Sequence, residues 1–169
     1  MEVSLQEIWA DLEGFPHYAV SNYGQIMNVN RDRILATRPG NQGISMITMM
    51  SADGIQVTRS VALLVARAFL PDEGDAFDSI ICLDGNRMNC RADNLMRRPR
   101  WFAMRYHGQF SDMRFYHRGV SIRLLGTDEV HDGWSPFCVK YGLFYQNIIS
   151  SCHNHLQRIF PTGQQFRIV

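Results

Sequence analysis

Six arginines stand between Arg87 and Arg105, namely Arg87, Arg91, Arg97, Arg98, Arg100 and Arg105, and two more follow by Arg118; Asp93 and Asp112 are the only acids in that span. Arginine's planar fork suits bidentate pairing with phosphate and with guanine, so a patch built on arginine rather than lysine favours nucleic acid. Trp101, Phe102, Tyr106, Phe110, Phe115 and Tyr116 are interleaved with these arginines. One reading is a basic helix and tail following a DNA backbone or groove, each phosphate contact adding salt-dependent affinity; the other is a solvated arginine face with the aromatics turned inward. Further on, Tyr145, Gln146, Asn147, Ser150, Ser151, Asn154 and Gln157 form a polar series. Asn and Gln in it can pair bidentately with adenine. Cys152, His153 and His155 give sulfur and nitrogen donors within four residues, but no second cluster completes a metal site.

The elements that position these residues follow from pattern. Ile81 to Leu95 reads as a strand, a tight turn at Asp84-Gly85-Asn86 and a polar return, followed by a basic helix that Pro99 opens. Upstream, Tyr18, Val20, Ile26 and Val29 alternate with polar positions about Asn22-Tyr23-Gly24, which predicts short strands joined by a turn; further hairpins are expected at 40–43 and at Asp53-Gly54. Val57 to Leu70 is predicted as one helix ended by Pro71, with an acidic loop over 72–78. After 120, a strand, a turn over 128–133, a helix with Ser135 as N-cap and Pro136 at its first position, a turn at Gly142, a second helix and a closing strand QQFRIV are expected. Helix, Gly-containing turn and helix make a helix-turn-helix pattern, with Ile148, Ile149 and Cys152 inward on its second helix.

The chain has 169 residues, a net charge of +1, and Lys140 as its single lysine, so bulk charge alone does not bind nucleic acid. Cys82, Cys90, Cys138 and Cys152 have no CxxC spacing, and the first residues lack the pattern of a signal peptide. Free thiols in a reducing, cytoplasmic setting are expected, with no membrane span.

Three segments resemble those of one family, in the family's order. Trp9, Gly14-Phe15-Pro16, Tyr18, Val20-Ser21 and Gly24 follow the W…GFPxYxVSNxGxI signature of the small NUMOD-type β-domain that precedes the nuclease core in phage and intron-borne HNH homing endonucleases. The VARAFLP segment is similar to that family's HRLVAxAFxP helix, with Ala62 where His is common. Leu83, Asp84, Gly85, Asn86, Asn89, Asn94 and Leu95 match the frame of the ββα core. Ser135, Gly142, Leu143, Ile148, Gly163, Phe166 and Arg167 resemble the C-terminal helix-turn-helix repeats, also NUMOD-type.

The resemblance implies an α+β, modular and elongated chain: a β-domain over 1–54, an HNH-like core over 55–110, a linker over 111–119 and a DNA-binding module over 120–169. It also implies where the chemistry would sit. An HNH nuclease uses a histidine base to activate water, and holds a divalent cation on an acidic or amide residue beside it and on a residue of the next helix. In this chain those positions hold Cys82, Ile81 and Ala103 respectively. Ile and Ala have no lone pair for a hard cation, and a thiol with an ordinary pKa near 8.5 is a poor substitute for imidazole. Asp84, Asn89 and Asn94 keep the frame without the chemistry. The expectation is therefore a catalytically inactive DNA-binding protein, without a metal or other cofactor, acting on double-stranded DNA in a phage-infected bacterial cell as a regulator or accessory factor, with a phage or host protein as a possible partner. The alternatives are an active Mg²⁺- or Mn²⁺-dependent endonuclease with a relocated site, and a protein-binding modulator that no longer binds DNA.

Overall fold

The computed structural model of the chain describes residues 6–112, 120–154 and 158–169. The chain packs as two compact units, one of residues 1–82 and 86–99, the other of 83–85 and 100–169.

The first unit is built from antiparallel strands. Strands β1 (Trp9–Asp11), β2 (Tyr18–Ser21), β3 (Ile26–Asn28) and β4 (Arg33–Ile34) form a meander in chain order. A second sheet joins β5 (Arg38–Pro39), β6 (Ser45–Met50) and β7 (Gln56–Ser60), and a two-stranded ribbon pairs β8 (Ser79–Cys82) with β9 (Leu95–Arg98). One helix, α1 (Val61–Phe69), buries Val61, Ala62, Leu64, Val65 and Ala66. Val61, Ala62, Leu64 and Val65 share one core with Phe15, Val20, Ile26, Ile47, Met49, Cys82 and Leu95. The β-domain and the first half of the HNH-like segment thus have a common hydrophobic interior.

The expected turns at Asn22-Tyr23-Gly24, 40–43 and Asp53-Gly54 all lie between paired strands. Gly24 has φ +81°, and a Cβ there would fall 2.9 Å from the Cys90 carbonyl oxygen, so the turn is fitted closely beneath the 89–92 loop. The helix predicted from Val57 begins four residues later. Val57 and Thr58, β-branched and directly after the Asp53-Gly54 turn, instead extend β7 against β6, in register from Met50↔Gln56 to Met46↔Ser60. Arg97 and Arg98, expected to lead into a helix, lie on β9 opposite Ile80 and Ser79. Helix α2 (Arg100–Tyr106) starts only after Pro99.

The second unit adds α3 (Gln109–Asp112), strands β10 (Ser121–Leu124) and β11 (Val130–Asp132), helices α4 (Ser135–Tyr141) and α5 (Tyr145–His153), and strand β12 (Phe166–Ile168). β10 is central, antiparallel to both β11 and β12. Half of the expected turn over 128–133 is strand, because β11 pairs through Asp132, and the reversal sits earlier at Gly126, with φ +86°. Helix α4 starts one residue before the expected position: Trp134 is the N-cap and Ser135 the first helical residue. Gly142 closes it in the left-handed region, φ +57° and ψ +55°, a conformation that costs glycine little. The core consists of Ile122, Leu124, Trp134, Phe137, Cys138, Leu143, Ile148 and Phe166 among others; Ile149 and Cys152 are half-buried at its edge. Among the described residues no helix is long and apolar enough to cross a membrane.

Glu129 fastens α4 to the β10–β11 hairpin. Its carboxylate accepts from His131 Nε2 at 2.6 Å, from the Tyr141 hydroxyl at 2.5 Å and from Lys140 Nζ. The Lys140, Tyr141 and His131 donors, in that order, hold the carboxyl at about 2, against an ordinary 4.5. A group whose folded-state pKa is depressed stabilises fully above its unfolded value and loses that effect as pH falls through the folded value. Urea melts are therefore expected to show stability lost as pH falls from 4.5 towards about 2, and Glu129→Gln should flatten that part of the curve while leaving the rest of its shape unchanged.

Candidate nucleic-acid interface

The frame residues of the HNH-like segment are structural here. On β8, Ile81 is 0% exposed and Cys82 4% exposed, opposite Met96 and Leu95 of β9. Asn94 donates from Nδ2 to the Asn89 carbonyl at 2.9 Å, and the Asn89 amide bonds to the Asn86 carbonyl at 3.0 Å, so the amides close the polar return on itself. Asp84 is exposed, and Ala103 of α2 is 9% exposed. The three positions that would carry base and cation hold buried side chains without hard donors, so the residues present do not fit a catalytic Mg²⁺ or Mn²⁺.

The described histidines are engaged locally, His17 Nδ1 lying 3.0 Å from Asn30 Nδ2. His107 Nδ1 donates to the Ala103 carbonyl, His153 Nδ1 to that of Ile149, and His131 is engaged with Glu129. The Cys152 thiol is pushed up to about 11 by burial, away from the thiolate a metal would need. His117 and His155 lie outside the described residues.

The arginines divide between the two units. Arg87 reaches Gln42, at 3.3 Å to its carbonyl and 3.0 Å to Oε1. Arg91 forms a two-pronged pair with Asp93 at 3.1 and 3.0 Å, and lies 4.2 Å from the centre of the Tyr23 ring. Arg97 donates to the Ala66 carbonyl at 3.3 Å. Arg98 is only 4% exposed and donates to the Arg97 carbonyl at 2.9 Å. These four side chains therefore tie together the first unit's own loops, helix and ribbon.

The second unit turns a different set outward. Phe102, Ala103 and Tyr106 occupy the buried side of α2, while Arg100, Trp101, Met104 and Arg105 are exposed. That division follows from the 3.6-residue period, which sets positions 102, 103 and 106 on one stripe. On α5, Tyr145, Ile148 and Ser151 are buried, Asn147 and Ser150 are half-buried, and Gln146 and Asn154 are exposed. Tyr145, expected at a base edge, thus packs inward, because it shares the face of Ile148 three residues on. Ser151 likewise serves the fold, its hydroxyl accepting from the Phe166 amide at 3.3 Å. Gln157 lies outside the described residues.

Where α2 and α3 meet the start of α5 there is a cavity of about 440 Å³, whose wall includes Trp101, Arg105, Phe144, Gln146 and Asn147. Phe144 stacks on Phe102 with ring centres 4.2 Å apart, and the Arg105 guanidinium lies 5.8 Å from the Phe144 ring centre. The wall is held by Gln109, a buried residue that sequence reasoning passed over. Its Nε2 donates to the Leu143 carbonyl at 3.2 Å, and its Oε1 accepts from the Tyr145 amide at 3.0 Å. The residue preceding α5, Phe144, cannot cap it with its side chain, so Gln109 supplies that bond from 36 residues away. No local pattern signals such a cap. The aromatic wall had a visible trace in the Trp101/Arg105 pair, four residues apart on one helix.

Tyr106 fixes α2 at its other side. Its buried hydroxyl lies 2.9 Å from the Leu83 carbonyl and 3.0 Å from that of Cys138. Tyr106→Phe would remove the hydroxyl from the buried Leu83 carbonyl, while the Cys138 carbonyl keeps the Leu143 amide at 3.1 Å, and is expected to cost about 1–3 kcal/mol in urea unfolding. Gln109→Ala should cost about 1 kcal/mol and raise amide hydrogen exchange at the first turn of α5; an unchanged exchange rate there would show that another group caps the helix.

Comparison with known proteins agrees with this architecture. Residues 7–48 match the NUMOD4 motif. Over 92 residues the chain is 29% identical to an uncharacterized HNH endonuclease of Acanthamoeba polyphaga mimivirus, covering 53% of this chain and 23% of that relative, so it spans about a quarter of the relative's length. In three dimensions it resembles the HNH homing endonuclease I-HmuI, described in a structure of its DNA binding and cleavage, with a TM-score of 0.53 and 21% sequence identity over 96% of this chain and 98% of that one. The chain is thus a NUMOD4-bearing protein, related in sequence to a viral HNH endonuclease and built on the fold of the HNH homing endonucleases.

Proposed function

We propose that this protein binds double-stranded DNA and does not hydrolyse it, serving as a regulator or accessory factor. One observation carries the reading: buried Ile81, Cys82 and Ala103 stand at the positions where the family resemblance implies a cation ligand, a base and a second cation ligand. Without a base the attacking water keeps its proton, and without a hard cation the charge developing on phosphate is unscreened. Support for DNA as the partner comes from the HNH endonuclease relationship, from the DNA-binding protein of like fold, and from the exposed Arg100, Arg105 and Gln146 and the half-buried Asn147 of the second unit. Guanidinium groups would neutralise phosphates, and the amides would reach base edges.

A supercoiled-plasmid assay with Mg²⁺ or Mn²⁺ is expected to show no nicking above background; robust nicking abolished by a substitution at Asn94 would overturn the proposal. Binding to duplex DNA should weaken with salt, and Arg100→Ala and Arg105→Ala should each reduce the slope of log K against log salt by about one. Arg98→Ala, at a buried position, should instead lower the unfolding midpoint.

A further inference from the structure

We infer that the cavity beside α5 receives a single DNA base that has left its stack, so that the protein prefers duplexes with an unpaired nucleotide; this rests on the DNA-binding reading above. The volume, about 440 Å³, falls in the roughly 300–1,000 Å³ range of pockets that hold small planar ligands. Arg105 is the single charged residue among the described residues of its wall, and its guanidinium would pair with the phosphate of the extruded nucleotide. Gln146 and Asn147 offer amide groups able to pair with a base edge. Gln109 takes no part in recognition, since both ends of its amide are bonded to the α4–α5 turn.

The aromatic component separates an extruded base from a stacked one. A base inside a duplex shows only its edge in a groove, and its faces are covered by its neighbours. Trp101 is 52% exposed although its ring is large and apolar, and Met104 beside it is 76% exposed. Such rings gain most from the face of an unstacked base, the mode by which single-stranded nucleic acid is held. A planar anion with a hydrogen-bonding edge could equally be a free nucleotide, and the test separates the two.

The full chain is titrated by fluorescence anisotropy into a labelled 20-base-pair duplex and into the same duplex carrying a three-thymine bulge. The bulged duplex is expected to bind about tenfold tighter. Trp101→Ala and Asn147→Ala should remove this preference, Trp101→Phe should keep most of it, and Arg100→Ala, off the cavity wall, should weaken both duplexes alike. Replacing a bulge base with 2-aminopurine gives a second readout: its fluorescence should be quenched on binding by the parent chain and not by Trp101→Ala. Equal affinity for the two duplexes, or a preference and quenching that survive Trp101→Ala, overturns the inference and leaves duplex binding standing. Failure to bind either duplex at low salt overturns both. Displacement of the bulged duplex by thymidine monophosphate at comparable concentration assigns the cavity to free nucleotides and overturns the DNA assignment.

Discussion

A buried phenol between two main-chain carbonyls sets the position of the second unit's first helix. The Tyr106 hydroxyl lies against the Leu83 carbonyl on one side and the Cys138 carbonyl on the other, and it has one proton for the two. Leu83 and Cys138 are both buried, and the Cys138 carbonyl also accepts from the Leu143 amide at 3.1 Å, so the cost of displacing the ring falls mainly on the Leu83 carbonyl. Phe102, one turn earlier on the same helix, is equally buried and continues the restraint through its stack on Phe144. With those two rings inward, the helical period leaves Trp101, Met104 and Arg105 outside. The outward set follows from the inward one.

Much of this was legible from the sequence. Short apolar alternations and Gly-containing turns placed the N-terminal strands, and a Ser-Pro start with a Gly stop bracketed α4 to within a residue. The fold class followed from the order of three motifs. What could not be read was the use of long-range partners. Arg91, Arg97 and Arg98 are indistinguishable from Arg100 and Arg105 as letters in a basic run. Their different surroundings come from an Asp two residues away, from a helix carbonyl 31 residues away and from burial in a ribbon. The start of α1 failed for a related reason: Val57 and Thr58 fit a helical stripe and a strand equally well, and the partner strand β6 decided between them.

The candidate site shows the same division. Residue type alone shows that Ile81 and Ala103 offer no lone pair and Cys82 only a soft thiol, because packing does not change which atoms a side chain carries. The cavity is not visible in this way. It depends on Gln109 bonding to a turn more than thirty residues downstream, and on which side of α5 Tyr145 takes. Residue identity can exclude a reaction, whereas the shape of a recognition surface emerges only from packing.

The path of the chain adds a further constraint. Leu83–Gly85 belongs to the second unit, although the residues on both sides of it belong to the first. That tripeptide supplies a carbonyl to Tyr106 and, at Gly85, the space occupied by the Phe110 ring, where a Cβ would come within 2.5 Å. Removing 83–85 would therefore take contacts away from Tyr106 on α2 and Phe110 on α3. The three residues are thus constrained by two helices that follow later in the chain, and a substitution at any of them acts on α2 and α3.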